Sequence, residues 1–268
     1  MTSTATSWGL RTAALLMAGA LVAGCSSAPG GSGTAWTAEP GTSTGTGAPT
    51  SGASAPASGP AATPSGSPST TSGPAATASA WKTFTDPGKT VGFDLPEEWI
   101  AQSVTPGEGT LPGALKIEVK KQDGTFVAAL RTGLPPSESV CPDAGKKPYL
   151  VISSVPVKLP GLMGEGTIAP HAVFRVIQGY RYFGSYGITN IVGGSDGQAC
   201  ELRNVVRGPA GKGDYSFGDV GVLKVFAADE KVAPARAFDT LDQAAKYVDE
   251  SSDFANVQRM LMSLEIKN

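Results

Sequence analysis

Histidine is almost absent from this chain of 268 residues, in which His171 is the only one. Zinc sites and most catalytic triads use histidine as a ligand or as a base. A chain with a single histidine can therefore form few sites of these kinds. His171 follows Pro170 and begins an apolar run, which favours a surface histidine at the end of a strand. The acidic residues show no calcium-loop spacing either. We therefore expect no metal site, no cofactor and no enzyme activity.

Charged side chains are just as rare in the N-terminal part, where Arg11 and Glu39 are the only ones before Trp81. The rest of the chain mixes both signs without a block of like charge, and the net charge of the whole chain is −2. A surface that binds nucleic acid requires a basic patch or stripe. The charge pattern therefore excludes nucleic acid from the expected partners.

The sequence also lacks an apolar run of the ~20 residues that a membrane-spanning helix needs. Residues 13–22 form a shorter run behind Arg11, which is typical of the apolar region of a signal peptide. The run leads into Leu-Val-Ala-Gly-Cys at positions 21–25, which resembles the bacterial lipobox. That resemblance implies cleavage after Gly24 and transfer of a diacylglycerol to the thiol of Cys25. The alternative is an ordinary secretory signal peptide with a chance cysteine.

The lipobox interpretation sets the expected location of the protein. Two acyl chains hold a protein stably at a bilayer where a single chain does not, because each buried methylene contributes about 0.8 kcal/mol. Residues 1–24 are thus predicted to be a lipoprotein signal peptide, and the membrane is the first expected partner, through the lipid on Cys25. We expect the protein at the outer face of the cytoplasmic membrane, with no group bound other than this covalent acyl lipid.

Bulky side chains are missing from residues 26–80, where every residue except Trp36 and Glu39 is Gly, Ala, Pro, Ser or Thr. Such a composition cannot bury enough apolar surface to offset the entropy of folding, and its prolines disfavour helix and sheet. Residues 25–80 are therefore predicted to be the lipidated cysteine followed by a disordered stalk. Residues 81–268 would form one globular domain beyond it.

Cysteine occurs three times. With Cys25 assigned to the lipid, Cys141 and Cys200 remain, far apart and without metal-ligand spacing. In an oxidising compartment such a pair forms a disulfide by default. The cross-link would stabilise the domain by about 4 kcal/mol on the chain-entropy estimate. The alternative is a pair of buried free thiols.

The predicted domain consists mostly of short runs of β-branched and aromatic residues separated by Gly and Pro, which indicates strands. Asp123-Gly124, between two of these runs, indicates a hairpin. Strands are predicted at residues 91–95, 114–121, 125–133, 149–157, 172–178, 182–192, 201–206, 220–227 and 264–267.

Helical periodicity appears only near the end of the chain. One helix is predicted at residues 241–249 after a cap at Asp239 or Thr240, and a second at residues 254–262 after a cap at Ser252 or Asp253. Because the strands precede the helices, we expect an α+β fold, a mainly antiparallel β-sheet with C-terminal helices packed on it.

Two segments of the domain resemble the PsbP-like domains of actinobacterial lipoproteins. The first is Trp-Lys-Thr-Phe-Thr-Asp-Pro-Gly-Lys-Thr-Val-Gly-Phe-Asp-Leu-Pro-Glu-Glu-Trp at residues 81–99. It is similar to the opening strands of that family, which end in Leu-Pro and a Trp. The second, Met-Ser-Leu-Glu-Ile at residues 262–266, is similar to the last helix and strand. The resemblance implies an α/β/α sandwich with a binding or assembly role, and it assigns no catalytic residue.

One motif points to catalysis. Gly-Gly-Ser-Asp-Gly at residues 193–197 matches the Gly-x-Ser-x-Gly nucleophile elbow, with Ser195 as the nucleophile. An elbow continues into a helix, whereas residues 198–202 have the pattern of a strand. His171 also precedes the serine, which is the reverse of the hydrolase order. A hydrolase using Ser195 is therefore a minor alternative to a Gly-rich hairpin turn.

An aromatic and basic cluster is the one candidate for a ligand site. It would line an apolar cleft, although aromatic residues at alternating strand positions also form ordinary core pairs. Its members are Tyr180, Tyr182, Tyr186, Arg175 and Arg181.

The sequence thus predicts a non-enzymatic binding or assembly module of the cell envelope, whose partner is an envelope protein or an apolar small molecule. A carrier of a lipid or small apolar ligand is the alternative. It requires a cavity on the order of several hundred Å³ behind residues 180–186.

Overall fold

The computed structural model of the chain describes residues 75–138, 140–194 and 196–267. The predicted signal peptide and most of the predicted stalk lie outside these residues. The described elements are, in chain order, β1 (Trp81–Thr85), β2 (Val91–Pro96), β3 (Ile100–Val104), β4 (Lys116–Lys120), β5 (Phe126–Leu134), β6 (Lys147–Pro156), β7 (Thr167–Gln178), β8 (Tyr182–Ile191), β9 (Gln198–Ala199), β10 (Glu201–Arg203), β11 (Asp214–Gly218), β12 (Val222–Lys224), β13 (Arg236–Phe238), α1 (Leu241–Glu250), α2 (Ser252–Met262) and β14 (Glu265–Ile266).

Nine of these strands form one large sheet. Its order is β3-β4-β5-β11-β8-β7-β6-β9, and β13 joins it by pairing with β8. A smaller sheet has the order β1-β2-β14, and β10 pairs with β12. The pairings between these strands are antiparallel, and both helices come late in the chain, so the predicted α+β class is confirmed.

The predicted Asp-Gly hairpin connects β4 and β5. Lys121 N donates to Thr125 O at 2.8 Å, and Gly124 N donates to Lys121 O at 3.0 Å. Asp123 Oδ1 accepts from Thr125 N at 2.8 Å, which fixes the turn from its own side chain. Gly124 has a φ of +85°, a conformation that glycine adopts without a Cβ clash.

The two helices meet at a shared cap. Thr240 Oγ1 accepts from Gln243 N at 3.2 Å and starts α1, as predicted for one of its two candidate caps. Ser251 ends α1 and also caps α2, because its Oγ accepts from Phe254 N at 3.2 Å. The predicted caps of α2, Ser252 and Asp253, were wrong by one or two positions. Neither described helix is long and apolar enough to cross a bilayer.

The main core lies between the large sheet, the small sheet and the helices. Phe93 of the small sheet packs on Phe217 of the large one with ring centroids 4.9 Å apart, and Phe174 packs on Phe254 of α2 at 5.5 Å. The opposite face of the large sheet is covered by strand and loop residues. Their buried apolar members are Ile177, Phe183, Ala199, Leu202, Leu223 and Ala235.

Three strands were missed from the sequence, and several predicted strands are shorter than expected. The missed strands are β3, β11 and β13. The run at 201–206 is a strand only at β10, and the run at 220–227 only at β12. These two short strands pair with each other, outside the large sheet.

The disulfide between Cys141 and Cys200 is present, which confirms the predicted pairing. Their Cα atoms lie 5.5 Å apart, within the ordinary range for a disulfide. The bond joins the segment that follows β5 to the residue before β10. It therefore links two parts of the chain that are separated by 59 positions.

The last residues of the predicted stalk contact the helices. Ala75 N donates to Asp249 O at 3.2 Å, and Ala78 N donates to Asn256 Oδ1 at 2.7 Å. Trp81 Nε1 in turn donates to Ala78 O at 2.8 Å. The folded part of the chain thus begins before residue 81.

Candidate functional site

The residues predicted to line an apolar cleft lie on two sides of the large sheet. Tyr186 is buried on the helix side, where its hydroxyl donates to Val127 O at 2.9 Å, and Tyr182 packs half-buried on the same side. Arg175 of β7 pairs in register with Ser185 of β8, one position from Tyr186. Because side chains alternate along a strand, Arg175 faces the opposite side.

Tyr180 and Arg181 lie in the turn between β7 and β8. Tyr180 is 56% exposed, and its ring packs edge-on against Phe183 at 5.4 Å. Arg181 Nε lies 2.8 Å from Asp239 Oδ1, in a surface ion pair. The structure therefore does not bring the five predicted residues into one cleft.

Aromatic rings fill the space behind residues 180–186. On one face Phe183 packs against Phe226 at 5.1 Å, and on the other Phe174 packs against Phe238 at 6.1 Å. Both Phe174 and Phe183 are fully buried. A carrier of an apolar ligand requires a cavity behind residues 180–186. Within the described residues, this space is a packed core.

Cys25 and Ser195 lie outside the described residues, so the lipidation site and the candidate nucleophile stay predictions. The segment after Ser195 is the strand β9, as its pattern indicated, and β9 pairs with β6 rather than with β8. β8 and β9 are therefore not hairpin partners, and the predicted hairpin turn between them was wrong. His171 lies in β7, where its Nδ1 is 2.7 Å from Ala169 O.

A different site arises where one edge of β8 is shared by two strands. Gly218 at the end of β11 pairs with Gly187, and residues 236–238 of β13 pair with residues 184–182. The strands touch closely here, because a Cβ on Gly218 would lie 2.5 Å from Tyr186 O. Asp219 follows at once, and its N donates to Tyr186 O at 3.2 Å. The gap between β11 and β13 thus opens beside Asp219.

A chain of hydrogen bonds leads from Arg175 to this gap. Arg175 Nη2 donates to Asn204 Oδ1 at 3.0 Å, and Asn204 Nδ2 donates to Ser185 Oγ at 2.6 Å. Ser185 Oγ donates to Asp219 Oδ1. All four side chains are buried, and burial lowers the pKa of Arg175 to about 10. The chain satisfies polar groups that would otherwise be costly under the covering strands.

Asp219 carries an oxygen that this chain leaves open. Its Oδ1 accepts from Ser185 and from Val220 N at 2.8 Å, whereas its Oδ2 is buried and has no hydrogen-bond partner among the described residues. The nearest cation is Arg236, whose Nη1 lies 3.6 Å from Oδ2. Burial raises the pKa of Asp219 to about 7, against the opposing effects of Ser185 and Arg236.

Arg236 of β13 is held between aromatic rings above Asp219. Its guanidinium carbon lies 5.0 Å from the ring centroid of Tyr186 and 4.8 Å from that of Tyr247. Such stacking favours a cation over the ring faces. Burial lowers the pKa of Arg236, but the neighbouring Tyr186, Tyr247 and Asp219 outweigh it, and the net pKa is raised. Arg236 therefore stays charged.

Asp219 and Arg236 line an open cleft of about 860 Å³. Arg131 of β5 lines the same cleft and brings a second guanidinium. The apolar part of the wall comes from the start of β5 and from the segments before and after β12. The full lining consists of Thr125, Phe126, Arg131, Asp219, Val220, Gly221, Ala233, Pro234 and Arg236. We refer to it below as the Asp219 cleft.

The hydroxyl that contacts Asp219 is not accessible from the cleft. Ser185 is the hydroxyl next to the carboxylate, but it is only 1% exposed and is already hydrogen-bonded at both lone-pair and proton. A nucleophile has to reach its substrate within hydrogen-bond distance of its base. Across the described part of the chain, no three His, Cys, Asp or Glu side chains are placed together to hold a metal ion.

Comparison of the chain with models of protein families, with curated proteins and with solved structures finds no match. The site is therefore interpreted from its own chemistry.

Sequence reasoning missed Asp219, Arg131 and Arg236 as site residues. A usable signal lay in the two central strands, because Arg175 and Ser185 are polar residues inside otherwise apolar runs. A charge in a buried strand needs a buried partner. The sequence therefore indicates that Arg175 has a buried polar partner elsewhere in the chain, but it does not identify that partner.

Proposed function

We propose that the chain is a non-enzymatic binding module of the cell envelope, held at the outer face of the cytoplasmic membrane by a lipid on Cys25. Its ligand would bind in the Asp219 cleft. The location rests on the lipobox, and the resemblance to PsbP-like lipoprotein domains agrees with a binding role. The disulfide between Cys141 and Cys200 supports an oxidising compartment outside the cytoplasm.

One observation carries the binding role: Asp219 lines an open cleft, and its buried Oδ2 has no hydrogen-bond partner among the described residues, with Arg236 Nη1 3.6 Å away. A buried polar atom without a hydrogen bond is destabilising, so its presence needs a reason beyond packing. A carboxyl group with a strongly shifted pKa in a cleft is also typical of functional sites. The cleft volume of about 860 Å³ is in the range of small-molecule sites.

Two alternatives are weaker on the same residues. A carrier for purely apolar ligands would have to cover Arg131 and Asp219 with groups that cannot hydrogen-bond to them, at a large desolvation cost. A hydrolase using Ser195 predicts that activity on any ester substrate disappears in Ser195→Ala.

The location is tested by cell fractionation of the full chain. We expect the wild-type protein in the membrane fraction with an acyl lipid on Cys25, seen by mass spectrometry, and Cys25→Ser in the soluble fraction without it. Ser27→Ala is the matched control, because it changes a residue next to the lipobox while leaving Cys25 and the disulfide intact. Retention of Cys25→Ser in the membrane would overturn the lipid anchor.

Binding is tested by identifying the small molecules that co-purify with the full chain. We expect at least one to be retained by the wild-type protein and lost from Arg131→Met and Arg236→Met. Arg181→Met is the control, because Arg181 lies outside the Asp219 cleft in an exposed ion pair with Asp239. The same small-molecule profile in all four proteins would contradict a ligand site in this cleft.

A further inference from the structure

The charges that face the Asp219 cleft are unbalanced. Arg131 and Arg236 are cations, and Asp219 is the single acid beside them. Burial raises the pKa of Tyr247 to about 12 and raises that of Tyr186 as well, so both phenols are neutral. On the far side of Asp219, Ser185 and Asn204 lead to Arg175, which is a third cation.

Arg131 has no acidic partner among the described residues. The acid on the neighbouring strand is Glu118, which is already paired with Lys116 at 2.9 Å and with Lys120 at 3.0 Å. Arg131 reaches towards the other wall instead, because its Nη1 lies 3.9 Å from where a Cβ would stand on Gly221. Its charge is therefore available to a ligand in the cleft.

The apolar part of the wall defines the rest of the ligand. Phe126, Val220, Ala233 and Pro234 line the cleft together with the charged groups. A simple inorganic anion would contact the guanidinium groups alone and leave these side chains against water. A molecule with one acidic headgroup and a short apolar body matches both parts of the wall.

We infer that the Asp219 cleft binds a small amphipathic anion, with its acidic headgroup between Arg131 and Arg236, and that Asp219 is protonated in the bound state, so that an ionised Asp219 takes up a proton from solvent when this anion binds. The inference rests on the proposed binding function and names the ligand class for that site. The headgroup replaces Asp219 as the anion next to Arg236. The proton goes to Oδ2, the oxygen that has no hydrogen-bond partner.

Charge repulsion explains the proton. An anion at Arg236 stands close to Oδ2, which lies 3.6 Å from that guanidinium, so two negative groups would share one cation. Because the pKa of Asp219 is about 7, protonation near neutral pH needs little free energy. If only the protonated form binds the anion, the affinity falls about tenfold between pH 6 and pH 8.

The test is calorimetry on the lipidated full chain in phosphatidylcholine nanodiscs, with empty nanodiscs as the blank. Octane-1-sulfonate is the probe, because its headgroup stays ionised at both pH values. Octyltrimethylammonium carries the same tail on a cation, and sulfate carries the charge without a tail. We expect octane-1-sulfonate to bind at least tenfold more tightly than either, and about tenfold more weakly at pH 8 than at pH 6.

Variants assign the effect to residues. Arg131→Met is expected to weaken octane-1-sulfonate binding about tenfold or more, as for the loss of one charge-assisted hydrogen bond. Asp219→Asn should bind equally well at pH 6 and pH 8, and Arg181→Met should match the wild-type protein. If Asp219→Asn fails to fold, the proton is counted on the wild-type protein, from the binding enthalpy in two buffers with different ionisation enthalpies.

Several results would overturn the inference. If octyltrimethylammonium binds as tightly as octane-1-sulfonate, the site does not select anions. If sulfate binds as tightly, the ligand needs no apolar body. Proton uptake of zero at pH 8, or a pH effect that persists in Asp219→Asn, would rule out the role of Asp219. If octane-1-sulfonate does not bind while a co-purifying molecule still depends on Arg131 and Arg236, the ligand class is wrong and the proposed function stands.

Discussion

Arg259 of the last helix stacks on Trp81 of the first strand, with its guanidinium carbon 4.0 Å from the ring centroid. The contact joins the two ends of the folded region, and both partners also contribute apolar surface. We expect Arg259→Ala to lower the free energy of unfolding by about 1–2 kcal/mol. Denaturant unfolding measures the change.

An exposed ion pair supplies the control for Arg259. Lys246 lies 3.0 Å from Asp242 along α1, and both side chains are more than half exposed. Such surface pairs contribute little, so Lys246→Ala should leave the free energy of unfolding nearly unchanged. An equal loss in the two variants would mean that the stacking geometry adds nothing beyond a surface charge.

The end of the predicted stalk contacts the helices, and two variants separate this contact from the rest of the stalk. Removal of residues 32–73 should leave the melting temperature within about 2 °C, since a segment of that composition is predicted to be disordered. Ala78→Pro should lower it, because proline has no N–H to donate to Oδ1 of the buried Asn256. An unchanged melting temperature in Ala78→Pro would argue against this contact.

The disulfide should be the strongest single covalent contribution to stability. Cys141→Ala together with Cys200→Ala is expected to lower the free energy of unfolding by about 4 kcal/mol, because the unfolded chain regains the freedom of a loop of 59 positions. A reducing agent should lower the stability of the wild-type protein to that of the double variant and leave the double variant unchanged. Two free thiols in the oxidised, unfolded protein lacking Cys25 would refute the pairing.

Asp219 should make the protein less stable as the pH rises towards neutrality. Its pKa is raised in the folded state to about 7 from 3.8, so the folded protein holds a proton that the unfolded chain has lost. Stability therefore falls between about pH 4 and pH 7 and levels off above the folded pKa. Thermal unfolding across this range should show the fall in the wild-type protein and a flatter profile in Asp219→Asn.

Asp214 gives this pH experiment an internal comparison. Burial raises its pKa as well, opposed by a hydrogen bond from Gly208 N at 3.2 Å. Asp214→Asn should therefore remove part of the slope and leave the larger part. If the pH dependence of stability disappears in Asp214→Asn and persists in Asp219→Asn, the proton is held by Asp214 and our assignment to Asp219 is wrong.

The sequence predicted those strands whose patterns are local. Alternating residues in β2, the Asp-Gly turn between β4 and β5, and the Thr240 cap are each read within a few positions. Strand β11 was missed although Tyr215 and Phe217 alternate with Asp214, Ser216 and Gly218, because it has only five residues and ends in glycine. Glycines at positions 211 and 213 directly before it suggest a loop.

The site was less predictable than the fold because it is assembled from distant segments. Asp219 and Arg236 come together only because β11 and β13 use the same edge of β8. No spacing along the chain encodes that arrangement, since it depends on where two strands end. The tyrosines at positions 182 and 186 were correctly placed on a strand. Their alternation reflects packing in the core and not a ligand site.

The position of β11 has a consequence for the order in which the sheet can be completed. Strand β11 lies between β5 and β8, although it comes later in the chain than both. Until residues 214–218 are available, β5 and β8 each present a bare edge on the side where β11 belongs. Bare edges recruit strands from other molecules, and late, long-range pairings form slowly. A chain that has not yet placed β11 would thus expose two unpaired strand edges, to which strands of other molecules can bind.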